Sequence, residues 1–580
     1  VHGVTAGSFD RAANLERLAS TPFDVLVVGG GITGAGVALD AASRGLRTAL
    51  IERDDYASGT SSKSSKMVHG GLRYLQQGEI GLVYQALHER QRLRHNAPHL
   101  VGILPFLLPT LTKGGPIPRK LAWALGQAMW LYDLTGGLRI GKKHEKLSKA
   151  EVLEHMPTLK EGKVAGGYLY YDAKADDARL VLTLVRSAVL DHGAAAANGV
   201  RLTGLTTGSD GRIDGAEVAV DDPPEGQDAS FRIAASVVVN AAGVWSDDVR
   251  ELAEGTHPDS IRPAKGVHIS VPWDLVQNDI AAVVPVPGDK RSVFVVPWGF
   301  SADDPAGGHE QFTHTYIGTT DTDYDGPVDD PQCTPEDVEY LLRAINGAIE
   351  GTITEADIVG TWAGLRPLVK DAGSERTADL SRRHKVRQSD DGLVTITGGK
   401  LTTYREMSED TVDEVRSLLP AAALAGTKRS SQTKKLKVHG AAGWEQVVAQ
   451  ASAGPVPDGQ LERLVRRYGT DTPDVVALVG QDGTLGEPLV AGQPYLRAEA
   501  LYAVREEMAR SLDDVLSRRT RSRLFARDAS ADAAEAVATL IGPELGWDDA
   551  EQAAQVKAYR EAVTAERTAA GLPETTVTQA

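Results

Sequence analysis

FDVLVVGGGITGAGVALDAASRGLRTALIERDD, Phe23 to Asp55, is the stretch whose reading decides the fold. Asp24 to Val28 is a short apolar run and reads as a buried parallel strand. Gly29, Gly31 and Gly34 satisfy G-x-G-x-x-G, and Ala35 to Ser43 continues at helical spacing. Gly29 permits a tight turn. Gly31 lets backbone amides approach a pyrophosphate, and Gly34 lets helix and strand pack closely, with the helix N-terminus supplying partial positive charge. Ile32 and Thr33 lie inside that turn. A second apolar run, Thr48 to Ile51, ends at Glu52, eighteen residues after Gly34, followed by Arg53. A carboxylate there accepts hydrogen bonds from both ribose hydroxyls and repels a 2′-phosphate, which disfavours NADP. Strand, glycines, helix, second strand and acid in register predict a dinucleotide site.

Outward from this unit, the chain of 580 residues is long enough for two or more domains. Hydrophobic content of 42% and charged content of 24% are ordinary for a globular protein. With 62 basic against 79 acidic residues, the formal charge of −17 argues against a nucleic-acid partner. One cysteine, Cys333, excludes an intramolecular disulfide and makes Cys-ligated zinc or iron–sulfur centres implausible, fitting a reducing cytosolic setting. The 14 histidines form no H-E-x-x-H or comparable cluster, so no metal is expected. No signal peptide is expected at the N-terminus, and no run reaches the roughly 18 apolar residues of a membrane span. Val101 to Leu111 and Leu121 to Leu134 are the apolar stretches nearest to lipid candidates. Core packing is the preferred reading, and a monotopic membrane contact flanked by Arg119, Lys120, Lys142 and Lys143 is the alternative.

Residues 1–20 read as a polar lead-in with a helical turn, and Ser58 to Tyr74 as a Ser/Gly-rich loop. Glu79 to Asn96 is an amphipathic helix with Ile80, Val83, Tyr84 and Leu87 on one face. Residues 100–160, broken by Pro and Gly, read as an insertion over the first domain. Helix–strand alternation resumes at Asp176 and leads to VVVNAAG, Val237 to Gly243, a buried strand with a small-residue turn. After Gly266, VHISVP, SVFVVPW (Ser292 to Trp298) and HTYIGTT (His314 to Thr320) predict antiparallel strands. Thr334 caps a helix that opens with Pro335. Leu393 to Thr397 is a late strand feeding Gly398-Gly399 and a new helix. Beyond Leu424 the pattern is helical: Gln460 to Tyr468, Ala498 to Ser517, Ala531 to Ile541 and Asp548 to Ala569.

A Rossmann start, a long insertion and a late strand feeding a GG-helix make a layout suited to FAD. The helix start at Gly399 would aim backbone amides at the flavin, stabilising its anionic reduced form. The fold class expected is α/β: a Rossmann-type FAD-binding domain with an inserted antiparallel β substrate domain, plus a C-terminal α-helical domain. The divisions read as 1–20 lead-in, 21–425 oxidoreductase region and 426–575 C-terminal helical domain. Within the middle region, about 21–100, 165–265 and 355–425 bind FAD, and about 100–165 and 266–354 form the substrate or cap parts.

Five spaced motifs carry a family resemblance. Thr60-Ser61-Ser62 with Met67-Val68-His69-Gly70-Gly71-Leu72-Arg73-Tyr74 is similar to the signature of FAD-dependent (aerobic, respiratory) glycerol-3-phosphate dehydrogenases. So are Asp176 to Leu180, Ile317 to Asp321, Gly364 to Leu368 and Gly399 to Arg405, and LDDVLSRRTR (Leu512 to Arg521) extends the likeness. The resemblance implies oxidation of sn-glycerol 3-phosphate to dihydroxyacetone phosphate, with hydride passing from C2 to flavin N5. Electrons then leave to a membrane quinone, or to oxygen in oxidase relatives. A phosphate dianion calls for a cationic clamp, for which Arg73, Arg366 and Lys400 are the candidates, with Tyr74 adding a hydroxyl. His69 is the candidate base for the C2 hydroxyl and Arg366 the group that stabilises the developing alkoxide, although the resemblance equally places His69 behind the ring. Ser61, Ser62 and Ser65 read as lining the pyrophosphate and flavin, together with Thr60, Gly70, Gly71, Leu72, Gly243, Gly399, Lys400, Leu401 and Thr402. His314 and Asp321 read as sheet-structural, and Trp245 and Trp298 as core. The C-terminal domain is expected to close the site, bind lipid or form a homodimer interface, and its helical pattern does not choose.

Overall fold

The computed structural model describes residues 8–71, 79–111, 142–289, 291–300, 311–370, 383–450, 454–457 and 459–574. Phe23–Val28 is buried along its whole length because it is the central strand of a parallel sheet. On one side it pairs in parallel with Thr48–Ile51, and on the other with the distal half of Ser230–Asn240. Ala195–Ala197 extends the sheet at one edge, and Val394–Thr397 with Lys385–Gln388 at the other. With both faces of the sheet covered, the run is apolar at every position but Asp24, whose carboxylate pairs with Arg47.

The helix Ile32–Ser43 covers one face of this sheet and is itself almost entirely buried, since Asp177–Arg186 and Tyr404–Leu418 pack against it. Small residues permit the approach. A β-carbon on Gly34 would lie 1.8 Å from the Gly29 carbonyl oxygen, and one on Gly36 would lie 2.3 Å from Ser408 Oγ. The other face is covered by Arg11–Ser20, a full helix with Leu15 and Leu18 buried, where the sequence suggests only a turn. Its Arg17 donates to the carbonyls of Gly193 and Ala194 at 2.8 and 3.1 Å, which ties it to the sheet edge.

Among the described residues the second sheet has ten strands, ordered Thr322–Asp323, Ile261–Pro272, Gln311–Gly318, Ser292–Phe300, Ala281–Pro285, Gly102–Leu111, Val164–Lys174 and Met67–Val68 along its main path. Gly360–Val369 pairs with Ile261–Pro272, and Glu145–Leu147 with Val164–Lys174. All these pairings are antiparallel except Ala281–Pro285 with Gly102–Leu111, which run parallel. The first stretch of residues 100–160 is an interior strand of this sheet, with Leu104, Phe106, Leu107 and Leu108 buried. Core packing, not lipid, accounts for Gly102–Leu111, while Leu121 to Leu134 lies outside the described residues. Pro335–Ala348 closes over the sheet, and Thr334 forms the capping box with Asp337.

Ile80–Asn96 is a helix that buries Leu82, Val83 and Leu87, but Tyr84 is 47% exposed and leaves the expected face. After residue 440 the described regular elements are helical. Gln460–Tyr468 matches the expected bounds, whereas the expected Ala498 to Ser517 helix ends at Glu507 and turns at Met508, which has φ 55°. No described helix is long and apolar enough to cross a membrane.

Candidate active site

Both helix-opening turns, at Gly29 and at Gly398, follow the C-terminal ends of parallel strands, where ligands gather in open α/β sheets. They share one wall of a cavity of about 1260 Å³ that continues between the two sheets. Typical small-molecule pockets measure about 300–1,000 Å³, so the volume suits an extended dinucleotide with a substrate beside it. Gly29, Gly31, Ile32, Thr33, Glu52, Arg53, Thr60, Ser61, Ser65, Gly71, Gly243, Gly399, Lys400, Leu401 and Thr402 line it, together with His69 and Arg366. Gly34 is behind the wall, where its lack of a side chain keeps helix and strand in contact. Ser62 and Gly70 also lie off the lining: Ser62 Oγ donates to the Gly59 carbonyl and the Gly70 amide to Asp172. Leu72, Arg73 and Tyr74 lie outside the described residues.

The residues at the first turn fit an ADP group. Ser61 Oγ accepts from the Ile32 amide at 2.9 Å, which holds the Ser-rich loop against the helix start. Glu52 accepts from the amides of Gly30 at 2.6 Å and Asp54 at 2.9 Å. Burial raises its pKa from 4.5 to about 7 against the pull of those two amides. Arg53 lies 4.8 Å over the Trp245 ring and pairs with Asp329 at 3.0 Å, while Trp245 Nε1 donates to the same carboxylate at 2.8 Å. Trp245 is therefore a cavity residue, a correction to the expectation of core. Trp298 does belong to the core, stacked on Phe525 at 4.7 Å.

At the second turn Gly398 and Gly399 have φ of 76° and 81°, and a β-carbon on Gly399 would meet Met407 Sδ at 2.3 Å. Only glycine allows that turn. Leu401–Thr403 then leads into Tyr404–Leu418, so this helix start faces the same cavity. Thr402 Oγ1 accepts from the His69 amide at 3.2 Å, joining the two signature motifs. The glycine cradles, the two helix starts and the acid at Glu52 together match the donor and acceptor set of FAD.

Arg366 projects from Gly360–Val369 onto the loop after Gln311–Gly318. Its guanidinium donates to Asp321 Oδ1 at 3.2 Å, Thr319 Oγ1 at 3.3 Å and the Thr320 carbonyl at 3.4 Å. Asp321 thus lines the cavity as the partner of Arg366, not as a sheet-structural residue, whereas His314 is fully buried with its ring 5.5 Å from that of Phe525. Arg291 also reaches this corner and donates to the Asp321 carbonyl at 2.9 Å.

Sequence reasoning missed His268, Lys63 and Arg291, all of which line the cavity. His268 stacks on Trp362 at 4.9 Å, and its Nε2 lies 2.8 Å from Ser65 Oγ. Burial, with the charges of Lys66 and Arg366, pushes its pKa far down, so the ring is neutral. A lone histidine in an alternating strand gives no signal to distinguish it from a core residue. Lys63 is a cation whose pKa burial lowers, 3.9 Å from Asp330.

Comparison with known proteins gives this arrangement a family. Residues 24–421 match the model described as FAD dependent oxidoreductase, and residues 431–552 that of the C-terminal domain of alpha-glycerophosphate oxidase. Glycerol-3-phosphate dehydrogenase 2 of Mycobacterium tuberculosis is 39% identical over 565 residues, covering 97% of this chain and 91% of the relative. The chain belongs to the FAD-dependent glycerol-3-phosphate dehydrogenase family. The Mycobacterium leprae glycerol-3-phosphate dehydrogenase is likewise 39% identical over 566 residues, with the same coverage. Among solved structures, the glycerol-3-phosphate dehydrogenase from Bacillus halodurans complexed with FAD superposes with a TM-score of 0.74 at 28% identity, covering 97% of this chain and 98% of that one. The dehydrogenase fold, with a Rossmann-like FAD-binding core, an inserted β-sheet substrate domain and a C-terminal helical domain, is the one expected from the sequence.

Proposed function

We propose that this chain oxidises sn-glycerol 3-phosphate to dihydroxyacetone phosphate with FAD and delivers the electrons to a membrane quinone. One observation carries the reading: two glycine helix starts, Glu52, and the cations Arg366 and Lys400 line a single cavity. Bound FAD supplies the two-electron acceptor that takes hydride from C2. The protein's residues do the rest. Gly31 and the start of Ile32–Ser43 hold the pyrophosphate, with Ser61 bracing the turn, and Glu52 orients the ribose. Lys400, with Arg73 and Tyr74, holds the substrate phosphate. Arg366, pinned by Asp321, is preorganised to stabilise negative charge at the C2 oxygen as the carbonyl forms, without reorganising during the reaction. His69 takes the C2 hydroxyl proton on a ring nitrogen. His268 is buried and neutral, so its part is to fix Ser65, not to bind phosphate.

On the same basis residues 21–425 act as the FAD and substrate region and 426–575 as a helical unit attached to it. We place the protein in the cytoplasm, peripheral on the inner face of the cell membrane. A lipid-borne acceptor and the basic-flanked apolar stretch Leu121 to Leu134 support this reading, and the acidic net charge makes any monotopic contact local and apolar. A homodimer through the helical unit is a further proposal. The second reading is an oxidase, favoured by the description of the model that matches residues 431–552. Turnover in air decides: a soluble quinone analogue that restores rate with little hydrogen peroxide supports the dehydrogenase, and one peroxide per substrate supports the oxidase.

A further inference from the structure

The loop Thr60 to Lys66 is a wall of the cavity on one side and a partner of the helical unit on the other. Its cavity side carries Ser61, bonded to the Ile32 amide, and Ser65, bonded to His268. Its far side is gripped by Arg521, a fully buried residue more than four hundred positions later in the chain. The Arg521 guanidinium donates to the Ser62 carbonyl at 3.0 Å and to the Ser517 carbonyl at 3.1 Å. It also contacts the Asp177 carboxylate and lies 3.1 Å from Asp176 Oδ1. Asp177 in turn accepts from the Ser64 amide at 3.0 Å and Ser64 Oγ at 2.6 Å. Lys66 Nζ reaches both the Ser62 carbonyl, at 3.3 Å, and Asp177, at 3.4 Å, and sits 4.6 Å over Trp362, whose Nε1 donates to the Ser64 carbonyl.

We propose that Arg521 is a positioning residue through which the C-terminal helical unit sets the affinity for FAD. It is not among the residues that line the cavity. Instead its guanidinium fixes the Ser62 carbonyl and the Asp177 carboxylate from which Ser64 hangs, so Ser61 and Ser65 are presented at fixed positions. Without it, Lys66 is the cation that remains on Asp177 and the Ser62 carbonyl, and an ammonium cannot span the same set of acceptors as a planar fork. The inference rests on the reading that FAD occupies the cavity.

The test uses the full-length chain, stripped of flavin and titrated with FAD by fluorescence quenching. Arg521→Met, Arg521→Lys and a control, Arg527→Met, are compared with the parent. Arg527 is equally buried in the helical unit, but its guanidinium pairs with Asp528 there and does not reach the loop. Groups that support the ligands of a metal site change affinity by about 10–100-fold, and a rise of that order in the Kd for FAD is expected in Arg521→Met. Arg521→Lys should fall between this variant and the parent. Arg527→Met should lower thermal stability and leave the Kd at the parent value. Equal weakening by Arg527→Met would mean general destabilisation and overturn the proposal, as would parent affinity in Arg521→Met. Should Arg521→Met not fold, parent affinity in Arg521→Lys would overturn it alone. If the parent itself takes up no FAD, the cofactor reading fails, which is a separate outcome.

Discussion

Replacing Arg366 by methionine removes the guanidinium while keeping much of the side-chain volume, and the structure gives the size of the effect. Arg366 is 28% exposed at its side chain and Asp321 9%, so the pair is partly shielded from water. Two unit charges about 4 Å apart interact by about 4 kcal/mol at an effective dielectric of about 20. Truncating one member of a hydrogen-bonded charge pair usually costs about 2–5 kcal/mol. Here the loss is compounded, because the Asp321 carboxylate remains and repels a substrate dianion. About 3–4 kcal/mol follows once exposure is discounted, and at about 1.4 kcal/mol per tenfold flavin reduction by substrate should slow roughly 10²–10³-fold. Anaerobic stopped-flow reduction is the assay, with FAD content measured beforehand. The pairing makes a sharper claim: Arg366→Met with Asp321→Asn should recover part of the lost substrate affinity, since the unbalanced charge is gone. Near-parent reduction in the single variant, or a double variant no better than the single one, would refute the reasoning.

Lys400→Ala is expected to raise the substrate concentration needed for half-maximal reduction more than it lowers the limiting rate, as for a group that binds phosphate without taking part in chemistry; steady-state kinetics over a substrate series would show the split. Gly34→Ala places a methyl 1.8 Å from the Gly29 carbonyl, so the protein should emerge insoluble or without flavin, read from its visible spectrum. Glu52 binds a proton more tightly in the fold than its ordinary 4.5, at about 7; its stabilisation of the apoprotein is therefore full below 4.5 and lost as pH rises through about 7. FAD affinity should run the other way, since the ionised carboxylate is the better acceptor for ribose, and Glu52→Gln should flatten the profile in a pH series of FAD titrations. For His439, burial pulls the pKa down, but Asp191 and Asp471 outweigh it and hold the pKa at about 9. Its stabilisation is full below 6.5 and lost as pH rises through about 9, so the parent's thermal midpoint should fall there more than that of His439→Gln.

The nucleotide unit was legible because its information is local: glycines, an apolar run and an acid stand within one stretch, Phe23 to Glu52. The Thr334 cap was legible for the same reason. Gly102–Leu111 was harder, because Pro105 and Pro109 interrupt a strand that is held by partners on both sides, Val164–Lys174 and Ala281–Pro285. Arg366 was found as a motif residue, but its partner Asp321 looked structural, since only the pairing of both Gly360–Val369 and Gln311–Gly318 with Ile261–Pro272 brings Arg366 beside the loop that carries Asp321. The contacts of Arg179 with Glu507 and of Arg519 with Asp55 join residues hundreds of positions apart and leave no local pattern. The helical unit's attachment to the cofactor region was therefore invisible before the structure.

The central claim is that the cavity holds FAD where glycerol 3-phosphate can reduce it. Its most direct measurement is an anaerobic titration of the purified protein with glycerol 3-phosphate, following the oxidised flavin band near about 450 nm. Prompt bleaching, with one dihydroxyacetone phosphate formed per flavin, is the expected result. A bound flavin that stays oxidised at saturating glycerol 3-phosphate would contradict the assignment of substrate while leaving the fold intact.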